Sequence, residues 1–204
     1  IFQENSGEIL ARGLGRSYGD VCLVKDGTLA LTNLKKKIIN FDEKNGIITC
    51  ESGISINEIL RLITPKGWFL PVVPGTSYVT IGGAIANDIH GKNHHKRGSF
   101  GNSVKSFKIL LSNGDVLNCS RDNNQELFYA TIGGLGLTGF ILSIKIQLIK
   151  ISNRFIDSGS IRFYSLDEFF KINKEMEKQY EYTVSWVDFN PTNSYKIRGV
   201  YLYG

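Results

Sequence analysis

Proline is scarce in this chain, with 4 among 204 residues, and cysteine is scarcer still, with 3. The shortage of proline and the lack of any G-X-Y period exclude a collagen-like rod and a proline-rich linker. Cys22, Cys50 and Cys119 are odd in number, far apart and form no C-x-x-C. They can build neither a disulfide framework nor a zinc ribbon, and reduced thiols in the cytosol are the expectation. No apolar run approaches the roughly 18 residues of a membrane-spanning helix. The opening Ile1-Phe2-Gln3 carries neither an initiating Met nor a signal-peptide pattern, so the chain reads as a fragment. Neither sign of charge dominates: 24 Lys and Arg against 19 Asp and Glu leave a formal charge of +5. That mild excess suits an anionic ligand or an acidic lipid surface. The runs Lys35-Lys36-Lys37 and Lys96-Arg97 are too short to prefer nucleic acid and read as solvated faces. No G-x-S-x-G elbow supports Ser17 or Ser99 as a nucleophile.

Glycine, by contrast, is in excess: 22 residues, about 11% of the chain, against an average near ~7%. The periodicity around these glycines is that of an α+β protein. Leu29–Leu31 reads as a short strand, and Ile38–Phe41 and Ile47–Glu51 as a hairpin across Glu43-Lys44-Asn45-Gly46. Ser55 and Glu58 have capping-box spacing ahead of a helix with Ile56, Ile59, Leu60 and Ile63 on one face, stopped by Pro65 and Gly67. Trp68–Pro74 is extended, Thr80–Asp88 is a short helix, and Phe107–Leu111 and Val116–Cys119 form a second hairpin. Gln125–Thr131 is helical, and Phe140–Ile151 alternates as one long half-buried strand. Near residue 153 the texture changes. A second capping box, Ser165 and Glu168, opens an amphipathic helix, and Tyr182–Phe189 and Tyr195–Tyr203 read as aromatic-rich strands. The last of these ends at Gly204 without a visible partner, which predicts an incomplete antiparallel unit.

Thirteen of the 22 glycines fall into five short segments. These hold Gly13, Gly15 and Gly19; Gly75; Gly82 and Gly83; Gly91, Gly98 and Gly101; and Gly133, Gly134, Gly136 and Gly139. Glycine brings backbone N–H groups close to a ligand, and successive N–H groups make anion nests. Tight turns alone would also use glycine, but several nests in one small domain point to a large ligand with a pyrophosphate. The run Gly134-x-Gly136-x-x-Gly139 spells the dinucleotide fingerprint, yet a helix precedes it and a strand follows. That context is the reverse of a Rossmann site. His90 and His94 are spaced i, i+4 with His95 adjacent, and three imidazoles can hold Zn²⁺. Gly91 and Asn93 argue against one helix across that span, so no metal is expected.

Ala11–Asp20, Pro74-Gly75-Thr76, Thr80–Asn102 and Glu126–Gly139 together resemble the flavin domain of the vanillyl-alcohol-oxidase (PCMH-type) FAD-linked oxidases. Within that superfamily TIGGAIANDIHGKNHHKRGSFGN is similar to the decaprenylphosphoryl-β-D-ribose 2′-oxidase family. The likeness covers residues 8 to 152 and is weaker beyond. It implies two α+β subdomains clasping FAD over residues 1–152, followed over 153–204 by the start of an antiparallel-sheet cap that binds substrate. It assigns Arg12, Gly13, Leu14, Gly15, Arg16, Ser17, Tyr18, Gly19 and Asp20 to a pyrophosphate loop. It assigns Gly75, Thr80, Ile81, Gly82 and Gly83 to flavin contacts, Asn87, Ile89 and His90 to the isoalloxazine wall, and Ile141 to the adenine end. His90 and Lys92 become the catalytic candidates, against a competing reading in which they only hydrogen-bond within their loop. Arg16 stands where relatives with covalent flavin have His, which implies non-covalent FAD. The implied reaction oxidises C2 of a polyprenyl-phosphate-linked ribose to the 2′-keto sugar, and a partner ketoreductase completes an epimerisation. Two alternatives remain: another sugar, aldonolactone or alcohol oxidase on this scaffold, or a non-catalytic nucleotide-binding module. The expected partners are thus a lipid-linked sugar phosphate and a ketoreductase, with no nucleic acid. The expected location is cytoplasmic, with peripheral contact at the inner face of the membrane.

Overall fold

The computed structural model describes residues 7–189 and 197–204. Its centre is a five-stranded antiparallel sheet in the order β3-β4-β8-β6-β7. The strands are β3 (Ile38–Asp42), β4 (Ile47–Glu51), β6 (Val104–Leu110), β7 (Val116–Ser120) and β8 (Phe140–Gln147). Both expected hairpins are present as β3–β4 and β6–β7. Ile48, Cys50, Phe107, Ile109, Ile144 and Ile146 project from one face of this sheet into the core. Three helices cover them: α1 (Ile56–Ile63), α2 (Ile81–Ala86) and α4 (Gln125–Thr131). Phe107 on β6 stacks on Phe128 of α4 at a centroid distance of 5.2 Å. Burial in this core pushes the Cys50 thiol up to about 12, so it stays protonated and inert.

Local signals explain these helices. Ser55 Oγ accepts the Glu58 N–H at 3.2 Å and the Glu58 carboxylate accepts the Ser55 N–H at 2.9 Å, a complete capping box. Helix α1 then buries Ile56, Ile59 and Ile63 and runs into a 3-10 turn at Thr64–Lys66, closed by Gly67 in the left-handed region. Thr80 caps α2, and a four-residue helix α3 (His94–Arg97) begins only after Asn93. His90 therefore lies outside that helix, bridged to Ser99.

Two expectations are corrected, and one expected strand has an unanticipated partner. The long strand over Phe140–Ile151 breaks at Leu148, whose N–H donates to Gly46 O at 2.8 Å. The remainder, β9 (Ile149–Lys150), turns away to pair with β5 (Trp68–Phe69), which is all of the extended Trp68–Pro74 run that pairs as a strand. The N-terminal strand Thr28–Leu31 (β2) pairs in parallel with an unanticipated β1 (Ile9–Arg12), outside the main sheet. The last strand does have partners: β12 (Arg198–Tyr203) runs between β10 (Gly159–Phe163) and β11 (Thr183–Asp188). Its expected first residues, Tyr195 and Lys196, lie outside the described ones. Sequence reading passed over β10, although Ser-Ile-Arg-Phe alternates polar and apolar residues, because the run is only five residues long and opens on glycine.

The three-stranded sheet carries α5 (Leu166–Gln179) on one face. Phe169 packs against Phe163 and Tyr201, and the Tyr201 hydroxyl donates to Asn173 Oδ1 at 2.9 Å. Ser165 caps α5 by accepting the Glu168 N–H at 3.1 Å. The Glu168 carboxylate takes the N–H of Tyr164 at 2.8 Å, one residue earlier than a capping box would place it.

Candidate functional site

A cleft of about 700 Å³ opens among the loop after β1, helix α2 and the turn before β8. Its volume lies within the ~300–1,000 Å³ typical of cofactor sites. The loop after β1 supplies Gly13, Leu14, Gly15, Arg16, Ser17 and Tyr18 to its wall. Among the described residues, the backbone N–H groups of residues 13–19 donate to no protein acceptor. Gly15 has φ of 61°, a left-handed conformation that costs glycine nothing. A run of unpaired N–H groups in such a turn is an anion nest. Arg16 is exposed and joins none of the described ion pairs. Among the described residues, no Asp or Glu lines the cleft, and Arg16 is its permanent charge.

The opposite wall is α2. Thr80 Oγ1 accepts the Gly83 N–H at 3.1 Å. Ile81 N–H donates to Ile54 O at 2.9 Å, and Gly82 and Ala84 N–H donate to Ser52 O and Thr80 O, each at 2.8 Å. The first-turn amides are thus used within the protein. The helix offers the cleft no free donors there, and the missing Cβ of Gly82 makes room for Ser52, whose Cβ lies 2.9 Å from where one at Gly82 would stand. The loop lies directly on this cap, since a Cβ at Gly13 would collide with Thr80 Oγ1. Asn87 ends the helix with its Nδ2 donating to Gly83 O at 2.9 Å, and Ile89 and His90 continue along the cleft. Gly75 and Ile141 line it as well.

Five expected site residues stand apart from the wall. Ile81 is fully buried in the core, because the side of α2 that carries it faces the sheet. Arg12 folds its guanidinium back beneath Gly15, with Nη2 2.8 Å from where a Cβ would stand there. Asp20 belongs to a turn in which its carbonyl accepts the Leu23 N–H at 2.8 Å, and Gly19 is exposed outside the wall. Lys92 is exposed, and its carbonyl accepts the Thr183 N–H at 2.9 Å. The rings of His90 and His94 meet edge to face at 5.7 Å, and among the described residues no three His, Cys, Asp or Glu side chains converge.

The glycine segments divide differently from their motifs. Leu135, Gly136 and Gly139 of the Rossmann-like run line the cleft, held to the end of α2 by Gly133 N–H on Ile85 O and Leu135 N–H on Ala86 O. In the His-rich segment the glycines serve packing instead. Gly91 presses on the Val73 carbonyl and Gly101 on Ile132, and none of the three lines the cleft. Sequence reasoning also missed Cys22, Thr32 and Ser52, which join the wall without any motif.

FAD, the group the resemblance implies, carries two negative charges on its pyrophosphate. The six loop amides of residues 13–18, without acceptors among the described residues, and Arg16 can offset them, and among those residues no carboxylate lines the wall. Gly83 lines the wall without a Cβ, which admits close approach of a ring. On these observations the residues present fit the cofactor.

A family profile described as "FAD binding domain" matches residues 1–120. Decaprenylphosphoryl-beta-D-ribose oxidase of Mycolicibacterium smegmatis is 39% identical over 189 residues, covering 91% of this chain and 41% of that protein. Human Delta(24)-sterol reductase is 30% identical over 112 residues, 55% of this chain and 22% of its own. A putative D-arabinono-1,4-lactone oxidase of Neurospora crassa is 28% identical over 141 residues, 69% of this chain and 25% of its own. The chain therefore spans about two fifths of the first of these relatives, and less of the others. The profile covers more than half of the 204 residues, and the cleft it encloses suits the cofactor in charge and shape: the chain belongs to the PCMH-type family of FAD-binding domains.

Proposed function

We propose that this chain is the flavin-binding part of an FAD-dependent oxidoreductase that oxidises a sugar hydroxyl. Its substrate is a polyprenylphosphoryl-ribose, oxidised at C2 to the 2′-keto sugar as half of an epimerisation. A partner ketoreductase completes that epimerisation. Residues 1–152 form the flavin domain and residues 153–204 the beginning of the substrate cap. The observation that carries this reading is the run of amides at residues 13–18, which find no acceptor among the described residues, on a wall with no carboxylate among them. The likeness to a ribose oxidase over 91% of the chain supports the substrate class.

Bound FAD supplies the two-electron acceptor that alcohol oxidation requires. The amides of residues 13–18 and Arg16 would hold the pyrophosphate. Gly83, Asn87 and Ile89, which line the cleft along and beyond α2, would contact the flavin. His90 is, among the described residues, the imidazole on the cleft wall. It is placed to take the hydroxyl proton as the C–O bond becomes a carbonyl. Lys92 is exposed and does not line the cleft, and its carbonyl accepts the Thr183 N–H. With no His at position 16, the cofactor is held without a covalent bond. A lipid-linked substrate makes the protein peripheral at the cytoplasmic face of the membrane. No helix among the described residues is long and apolar enough to cross one.

The visible spectrum of the protein as its gene encodes it tests the reading. A yellow protein whose flavin bleaches anaerobically with a polyprenylphosphoryl-ribose is expected. Bleaching only by a lactone or another sugar would transfer the assignment to a different sugar or aldonolactone oxidase on the same scaffold. A colourless protein that takes up no FAD would leave a nucleotide-binding module.

A further inference from the structure

The segment from His90 to Ser99 is a closed loop. Its base is fastened by the His90–Ser99 bridge and by the Phe100 N–H on Ile89 O at 2.8 Å. His90, at that base, lines the cleft. Beyond the base, Lys92, Asn93, His95, Lys96 and Arg97 contact residues 178–183 of the three-stranded sheet unit. Arg97 makes a two-pronged ion pair with Glu181, Nε to Oε1 at 2.7 Å and Nη2 to Oε2 at 3.2 Å. Asn93 is fully buried and donates from Nδ2 to Pro71 O at 2.8 Å and to Glu181 Oε1 at 3.1 Å. His95 Nε2 meets Tyr180 O at 3.3 Å, and Thr183 N–H reaches Lys92 O at 2.9 Å.

Two features separate this cluster from an ordinary surface pair. Its carboxylate is partly buried, with a side-chain exposure of 27%, and it receives three charge-assisted or amide donors in a fixed fork. Burial alone would push Glu181 up, yet the hydrogen bonds from Arg97 and Asn93 outweigh it and hold the carboxyl below the ordinary glutamate range. Meanwhile Asn93 Oδ1 is buried with no partner among the described residues. An asparagine at that position is explained by its two donor bonds, one to each side of the junction.

We propose that Glu181, Arg97 and Asn93 are positioning residues: they register the β10–β12 unit against the His90 end of the flavin cleft. The bonds act through the closed loop, so a shift of the β11 end moves the base that carries His90. This rests on the proposed reading that the cleft holds the flavin and that the second unit borders the substrate.

Amide hydrogen exchange on the 204-residue chain tests the junction without any cofactor. In Glu181→Gln the Thr183 amide should exchange at least tenfold faster, while the core amides of Ile59 and Ile63 keep their rates. The charge-swapped pair R97E/E181R should return Thr183 to within threefold of the parent. In the flavin-loaded protein as its gene encodes it, E181Q should raise KM for a polyprenylphosphoryl-ribose at least fivefold and leave flavin content and absorbance unchanged. An unchanged Thr183 rate in E181Q would overturn the proposal, as would core amides that quicken along with it. Should E181Q fail to fold, Arg97→Gln reads the same bond from the other side. If the parent takes up no flavin, the functional reading fails, and the exchange result still decides the junction.

Discussion

Gly13 shows how a single residue can be fixed by a neighbour 67 positions along the chain. A methyl group there would strike Thr80 Oγ1, the oxygen that caps α2. Either the cap breaks or the free-amide loop lifts off the helix. Gly13→Ala should therefore weaken FAD binding at least tenfold in a fluorescence titration. It should also destabilise the fold by about 1–3 kcal/mol, the usual cost of overpacking. Gly75 lines the same cleft, but no atom lies within 4 Å of its would-be Cβ. Gly75→Ala should leave stability unchanged within about 0.5 kcal/mol. Equal losses in the two variants would mean that the contact with Thr80 is not what restricts position 13. Nothing in the local sequence separates these glycines, because the distinction lies in what faces each one across space.

At the scale of elements, α1 was legible because its determinants are local. Ser55, Glu58 and the isoleucine stripe lie within a few residues of one another, and the structure closes the box they predict. Ser55→Ala should cost about 1 kcal/mol in urea unfolding at neutral pH, the usual price of a lost N-cap. The pH dependence has a definite sign. Hydrogen bonds from the Ser55 side chain and backbone hold the Glu58 carboxyl below its ordinary range. A carboxylate with a depressed folded-state pKa stabilises above its unfolded value, and that contribution disappears as the pH falls through the folded value. The stability gap between parent and S55A should therefore narrow on acidification from pH 7 to pH 3, and a gap that held constant would count against this coupling. Strand β8 was legible only in part, because its register depends on partners. Lys108 faces Ser143 while Ile109 faces Ile141, so Leu142 is an extra residue in the ladder. That bulge turns both Ile141 and Ile144 inward. Plain alternation would have sent Ile141 outward, away from the cleft wall it joins.

At the scale of the whole molecule, the cleft exists only while three remote segments stay together: the loop of residues 13–18, helix α2 and the turn before β8. No one of them encloses the cofactor. Unfolding should therefore release the flavin completely. After acid precipitation, the yellow colour should stay in the supernatant, and flavin retained in the pellet would show a covalent bond and overturn the reading of Arg16. The sequence alone determined the local chemistry. It located the capped helices, both hairpins, the mild positive charge and the glycine-rich turns, all of which arise from residues within a few positions of each other. It also carried the family likeness in the run from Thr80 to Asn102. The tertiary structure decided which of those glycines face the cofactor cleft and which only pack. It brought the Rossmann-like turn to the cleft, took Lys92 off its wall and joined Glu181 to Arg97 across 84 positions. Those outcomes follow from sheet register and helix placement, which depend on contacts among segments that no local window of sequence contains.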